Sequence, residues 1–159
     1  MTLRVAVQMD PLESINIVGD SSFALMLSAQ TRGFEVLHYD VGDLTLDASN
    51  RLVANARPVR VQAVVGDHFS AGAVRRIDLG RDVDVVLMRQ DPPFDMGYVT
   101  ATHLLERIET ETLVVNNPRS VRNAPEKVMV LDYREFMPPT LVTRSVDEVR
   151  AFQREHGAV

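Results

Sequence analysis

The chain predicts an open α/β fold, a mainly parallel sheet with helices on both faces. Three observations carry that expectation. Its strand-like segments are short apolar runs rich in β-branched residues, such as Val5-Ala6-Val7 and Val83–Leu87, the pattern of strands buried on both sides. A helical pattern separates the first two strand-like runs, which lie between Leu3 and Tyr39. The same rhythm returns after residue 78, beyond a stretch of different character.

Leu3–Gln8 reads as the first buried strand, and Met9–Asn16 as a polar loop leaving it. Asp20 is a good N-cap, Phe23, Met26 and Leu27 follow at helical spacing, and Gly33 stops the helix. Phe34–Tyr39 is the second strand, completing a strand–loop–helix–strand unit. Residues 41–78 break the rhythm. Leu44–Val53 reads as a hairpin about a polar turn, alternation continues weakly through Val59, Val61 and Ala63, and Gly66–Phe69 is another break. An antiparallel excursion at the sheet edge is expected there.

Val83–Leu87 restores the parallel pattern and runs into Met88-Arg89-Gln90-Asp91-Pro92-Pro93-Phe94-Asp95. Consecutive prolines remove two backbone donors and pin φ, so neither strand nor helix continues through them. Ala101, Leu104, Leu105 and Ile108 then recur at i, i+3, i+4 and i+7, which places an amphipathic helix over about 96–109. Thr112–Val115 is a strand, and 118–124 a short helical turn. Asn123 with Glu126 resembles a capping box, with Pro125 in the first turn, opening a helix to about Leu131. Pro138-Pro139 leads into a strand at Thr140–Thr143, and Ser145 with Glu148 caps a last helix that Gly157 closes. The whole is Rossmann-like.

Composition narrows the function. With 159 residues and 45% hydrophobic content, there is material for one ordinary core. A net charge of −5 argues against a nucleic-acid partner, since phosphate contacts need a basic face. There is no cysteine, which removes disulfides, thiolate metal sites and a thiol nucleophile, and suits a cytoplasmic location. No apolar segment approaches the roughly 18–20 residues needed to span a bilayer, and Met1–Val7 lacks a signal-peptide hydrophobic region. No membrane partner is expected. The glycines form no phosphate-binding fingerprint. His38, His68, His103 and His156 are too dispersed to suggest a metal site.

Two polar loops remain, each leaving the carboxyl end of a strand, where open α/β sheets place their ligands. The first carries Asp10, Ser14, Asn16, Asp20 and Ser21; the second carries Arg89, Asp91 and Asp95. If the strands are neighbours, the loops share one crevice with carboxylates and an arginine, suited to a zwitterionic amino acid or peptide. The alternatives are that Asp10 and Asp20 only cap helices, and that the proline loop is a rigid turn with solvated charges. Lys127 is the only lysine among seventeen basic residues. It reads either as an ordinary surface residue or as a point charge for phosphate.

Taken together, several segments carry a resemblance. They are Val5–Pro11, Ser14–Ile17, Asp20–Ala24, Val86–Asp95, Ala101–Glu106, Leu113–Asn116, Ser120–Asn123 and Glu126-Lys127. In that order, across residues 3–144, they closely resemble the bacterial glutathione synthetases. The resemblance implies an N-terminal substrate-binding (pre-ATP-grasp) domain over residues 1–124, with 125–159 opening an ATP-grasp domain whose remainder is absent. It implies ATP-dependent ligation of γ-glutamylcysteine to glycine through an acyl phosphate, with Mg²⁺ in the complete enzyme. Lys127 matches the family's first ATP-contacting lysine. Asp10, Ser14, Asn16, Arg89 and Asp91 fall in segments lining the dipeptide pocket and are assigned to substrate binding. No catalytic residue or metal ligand is assigned, because the glycine-rich lid and the acidic Mg²⁺ ligands lie beyond this length. The isolated chain is therefore expected to be inactive, and its apolar surface to favour a homo-oligomer. The alternative is a stand-alone module that binds a γ-glutamyl peptide or an amino acid without chemistry.

Overall fold

Period-two alternation in the first strand divides the interior into two cores. In β1 (Arg4–Gln8), Val5 and Val7 face one side of the sheet and Ala6 the other. The first side receives Phe23 and Met26 of α1 (Ser21–Thr31); the second receives Leu105 of α2 (Met96–Glu106). Helices thus cover both faces, as the buried β-branched runs require. The computed structural model describes residues 2–157, apart from the side chains of Glu126 and Lys127. Two compact units are present, Met1–Asn123 and Ala124–Val159.

In the first unit, β1 lies between β2 (Glu35–Tyr39) and β7 (Val85–Met88), parallel to both, and β8 (Leu113–Val115) runs parallel to β7. The excursion comprises β3 (Leu44–Leu46), β4 (Leu52–Val61), β5 (Phe69–Ala71) and β6 (Arg75–Asp78). All four pairings in which β4 takes part are antiparallel. Sheet order is β3-β4-β2-β1-β7-β8, with β5 and β6 also on β4. The turn before β4 is set by Asp47, whose carboxylate accepts from the Ser49 and Arg51 backbone N–H at 2.9 and 3.0 Å. Pairing of β4 with β2 ends at Pro58, opposite Leu37. Proline brings no donor to the ladder, and beyond it β4 pairs with β5 instead, Val59 opposite Ala71.

The helix ends follow their caps. Asp20 accepts from the Phe23 N–H at 2.7 Å, and Gly33, at φ +76°, carries the chain out of α1. The helix expected over 96–109 stops at Glu106, although Ile108, in the turn that follows, is still buried.

Two expectations in the second unit are corrected. The helix expected to open with a capping box at Asn123 has Pro125 at its N-cap, without a side-chain cap bond; α4 is Glu126–Met129. Asn123 is still helical, as the last residue of α3 (Pro118–Asn123). A tight 3-10 segment follows over Val130–Phe136, broken at Tyr133. Thr140–Thr143 is not a strand. A strand needs a ladder partner, and this unit offers none among the described residues. The last helix, α5 (Val146–His156), forms as expected, with the Ser145 hydroxyl accepting from the Glu148 N–H at 3.3 Å. No helix among the described residues is long and apolar enough to cross a membrane.

Candidate functional site

Strand order decides where the loops meet. The chain passes from β1 to β2 on one side, then returns through the excursion to β7 on the other. β1 is therefore a topological switch point, and the loops after β1 and β7 leave the same sheet edge toward opposite faces, framing a crevice. The Arg89 N–H donates to the Gln8 carbonyl at 2.8 Å, carrying the ladder one residue past β7.

That bond aims the Arg89 side chain at the start of α1. Its Nε donates to Ser22 Oγ at 3.0 Å and a terminal nitrogen donates to Ser21 Oγ at 2.6 Å. Each hydroxyl uses a lone pair on the guanidinium, leaving its own proton to donate elsewhere. Among the described residues Arg89 has no carboxylate partner. A half-buried guanidinium, two hydroxyl donors and the positive end of α1 converge there, a corner built to receive an anionic oxygen.

Beneath it lies a buried amide network. The Gln8 carboxamide donates to Gln90 Oε1, and the Tyr39 hydroxyl donates to Gln8 Oε1 at 3.1 Å. Gln8 and Tyr39 are fully buried and Gln90 nearly so. Burial pushes the Tyr39 phenol far above its ordinary range, so it remains a donor. Connected buried polar groups of this kind hold one geometry, because breaking any bond strands a partner away from water. Gln8, Gln90, Tyr39 and Ser22 were not singled out as site residues by the sequence. A polar residue ending each of two apolar strands was the available signal.

The sequence-selected residues divide in use. Ser14 turns inward, its Oγ donating to the Pro11 carbonyl at 2.7 Å, and Asn16 accepts from the Val18 N–H at 3.1 Å. Both shape their own loop. Asp10 and Asp91 are exposed and, among the described residues, make no side-chain hydrogen bond, so both carboxylates are free at the surface of their loops. Asp95, grouped with the crevice carboxylates, is instead the N-cap of α2, accepting from the Tyr98 N–H at 2.9 Å. Asp20 caps α1 in the same way. Tyr98 packs on Phe94, ring centres 5.0 Å apart. Burial raises its phenol above the usual value, with Arg89 pulling it down and Asp91 pushing it up. Tyr98 thus lies within electrostatic reach of both charges of the second loop. Lys127 belongs to α4, and its side chain lies outside the described residues.

No three His, Asp or Glu side chains gather as metal ligands among the described residues. The described residues thus offer no set of carboxylates to hold a Mg²⁺ ion.

The family model for the N-terminal domain of prokaryotic glutathione synthetase matches residues 3–122. The chain belongs to that family. It is 57% identical to the glutathione synthetase of Rhodopseudomonas palustris over 159 residues, all of this chain and 50% of that protein. The Brucella melitensis glutathione synthetase is 49% identical and that of Vibrio vulnificus 41%, each again covered to 50% of its length. The chain spans about half the length of the curated relatives it matches. The matched span contains both crevice loops and every sequence-selected site residue except Lys127.

Proposed function

We propose that this chain is the substrate-binding part of an ATP-dependent carboxylate–amine ligase that joins γ-glutamylcysteine to glycine. Residues 1–124 form its pre-ATP-grasp domain and 125–159 open the ATP-grasp portion. The observation that supports this most is the Arg89–Ser21–Ser22 corner, with Asp10 and Asp91 exposed on the two loops and without a side-chain hydrogen bond among the described residues. γ-Glutamylcysteine carries two carboxylates and an ammonium, so a guanidinium with hydroxyl donors, and carboxylates on the same pair of loops, complements both signs. Arg89 takes a substrate carboxylate, Ser21 and Ser22 orient the guanidinium, and Asp10 or Asp91 takes the ammonium. Ser14 and Asn16 serve binding by fixing the loop.

In this reading ATP, with Mg²⁺ held by residues beyond this chain, converts the cysteinyl carboxylate to an acyl phosphate, from which the glycine amine displaces phosphate. Lys127 contacts ATP. The remaining apolar surface of the second unit, Phe136, Val142 and Val146 among it, is covered by the rest of the ATP-grasp portion or by a second copy. A cytoplasmic setting fits the cysteine-free composition. The decisive assay is ADP formation by the uninterrupted product of the native gene, omitting γ-glutamylcysteine and glycine in turn. Dependence on both is expected. A product that binds the dipeptide without releasing ADP would instead establish a binding module.

A further inference from the structure

We propose that the antiparallel excursion, together with the end of β2, is a buttress for the Met9–Asn16 loop, with His68 of the excursion and His38 of β2 as positioning residues that hold it in its substrate-binding shape. This rests on the assignment of that loop to the dipeptide site. Three attachments reach it from outside. His38 of β2 places Nε2 3.2 Å from the Asp10 carbonyl oxygen. His68, in the turn between β4 and β5, places Nε2 2.6 Å from the Leu12 carbonyl oxygen. Arg57 of β4 donates to both Glu13 oxygens, at 2.8 and 3.1 Å.

A carbonyl oxygen carries no proton, so each imidazole must donate from Nε2. The two rings do the same work from different elements, on carbonyls two residues apart. Neither ring is free to turn. His38 is almost fully buried. His68 lies edge-on to Phe23 of α1, centres 6.0 Å apart, and tilted against Phe69 of β5 at 5.2 Å. Arg57 stacks over the same Phe69 ring at 5.6 Å before reaching Glu13. One connected assembly of Arg57, Phe69 and His68 thus grips Leu12 and Glu13 together. The Glu13–Arg57 pair is largely exposed on its acidic side and contributes little by itself. The directional hold comes from the imidazoles, and the Leu12 side chain, fully buried against α1, provides the anchor.

A strand–helix–strand unit closes without any excursion. Here the excursion supplies a partner for a loop carbonyl from a residue 56 positions away. A loop held in its bound shape before the ligand arrives avoids the ordering cost of association. The dipeptide, and not ATP, is the ligand whose affinity depends on that hold.

The test uses His68→Leu, which keeps apolar bulk and removes the donor, beside His68→Gln, which keeps an N–H, in the uninterrupted gene product. His68→Leu is expected to raise KM for γ-glutamylcysteine about tenfold, the scale of one lost hydrogen bond. KM for ATP should stay put, kcat should move little, and Gln should restore most of the loss. In the same protein, backbone amides of Glu13–Ile17 should exchange about tenfold faster in His68→Leu, with those of β1 unchanged. Should His68→Leu unfold, His68→Phe, which keeps an aromatic ring against Phe23 and Phe69 and removes the donor, carries the same test. Unaltered loop exchange and unaltered dipeptide KM in an active enzyme would overturn the buttress. Absence of dipeptide-dependent turnover in the unaltered protein would instead overturn the substrate assignment, and loop exchange would still decide whether the histidines hold the loop.

Discussion

The loops after β1 and β7 leave neighbouring strands at one sheet edge, yet they take their shapes from different sources. The β7 loop is stiff by its own covalent structure, with Pro92 and Pro93 fixing φ within it and Asp95 ending it as a helix cap. The β1 loop has one proline and a longer polar path. It is held by Leu12 in the core, by His38 and His68 on its carbonyls, and by Arg57 on Glu13. Local stiffness survives changes elsewhere in the molecule. Stiffness borrowed from distant residues is lost when the residues that hold it most firmly are changed.

Removing the anchor should break the comparison most sharply. Leu12→Ala should cost about 2–5 kcal/mol by emptying a fully buried site, seen as a lower urea midpoint, with β1-loop amides exchanging first. Next comes the charge that both loops share. Arg89→Ala should raise KM for γ-glutamylcysteine by roughly ten- to a hundredfold, as expected for hydrogen bonds to a charged group. ATP affinity should be unchanged, and a defect confined to ATP would sink the role given to Arg89. Third are the caps that close the loops. Asp20→Ala and Asp95→Ala should each cost about 1 kcal/mol in thermal or chemical unfolding, and a much larger loss at either would show that its loop depends on the cap.

The smallest effect is a pH dependence carried by His38, the β2 residue that holds the β1 loop. Burial holds the His38 imidazole below its ordinary value of 6.5, against weaker opposing pulls from the Asp10 carbonyl and Asp40. Arg57 adds to the depression and Glu13 opposes it. With the folded pKa depressed, the unfolded chain binds the proton first as pH falls. Stability is therefore fully present above about 6.5 and declines below it. Urea midpoints at about pH 7.5 and about pH 5.5 should differ less in His38→Gln than in the unaltered protein. An equal difference in both would place the titration elsewhere.

The contrast between the loops also explains what could be read in advance. Alternation in Val5-Ala6-Val7, helical spacing from Phe23 to Leu27, and the hairpin ending at Val53 depend on neighbours a few residues away, and each formed as expected. Asp20 was legible as a cap for the same reason. Thr140–Thr143 was misread because a strand exists only where a second strand receives its hydrogen bonds. Asp95 resembled a crevice carboxylate because residue type alone does not reveal whether a nearby N–H is already unpaired. Gln8 ends β1, Tyr39 ends β2 and Gln90 lies just past the end of β7, and only the sheet order makes them one network.

By itself, then, the sequence determined the family, the parallel unit about β1, the antiparallel excursion and the two loops that carry polar chemistry. Those follow from periodicity, proline and glycine geometry, and ordered motifs, all of which act over short stretches of chain. Tertiary structure alone decided that Arg89 rests on Ser21 and Ser22, and that His38 and His68 hold the opposite loop. Hydrogen bonds between residues 28, 56 or 67 positions apart exist only once strand order has brought them together.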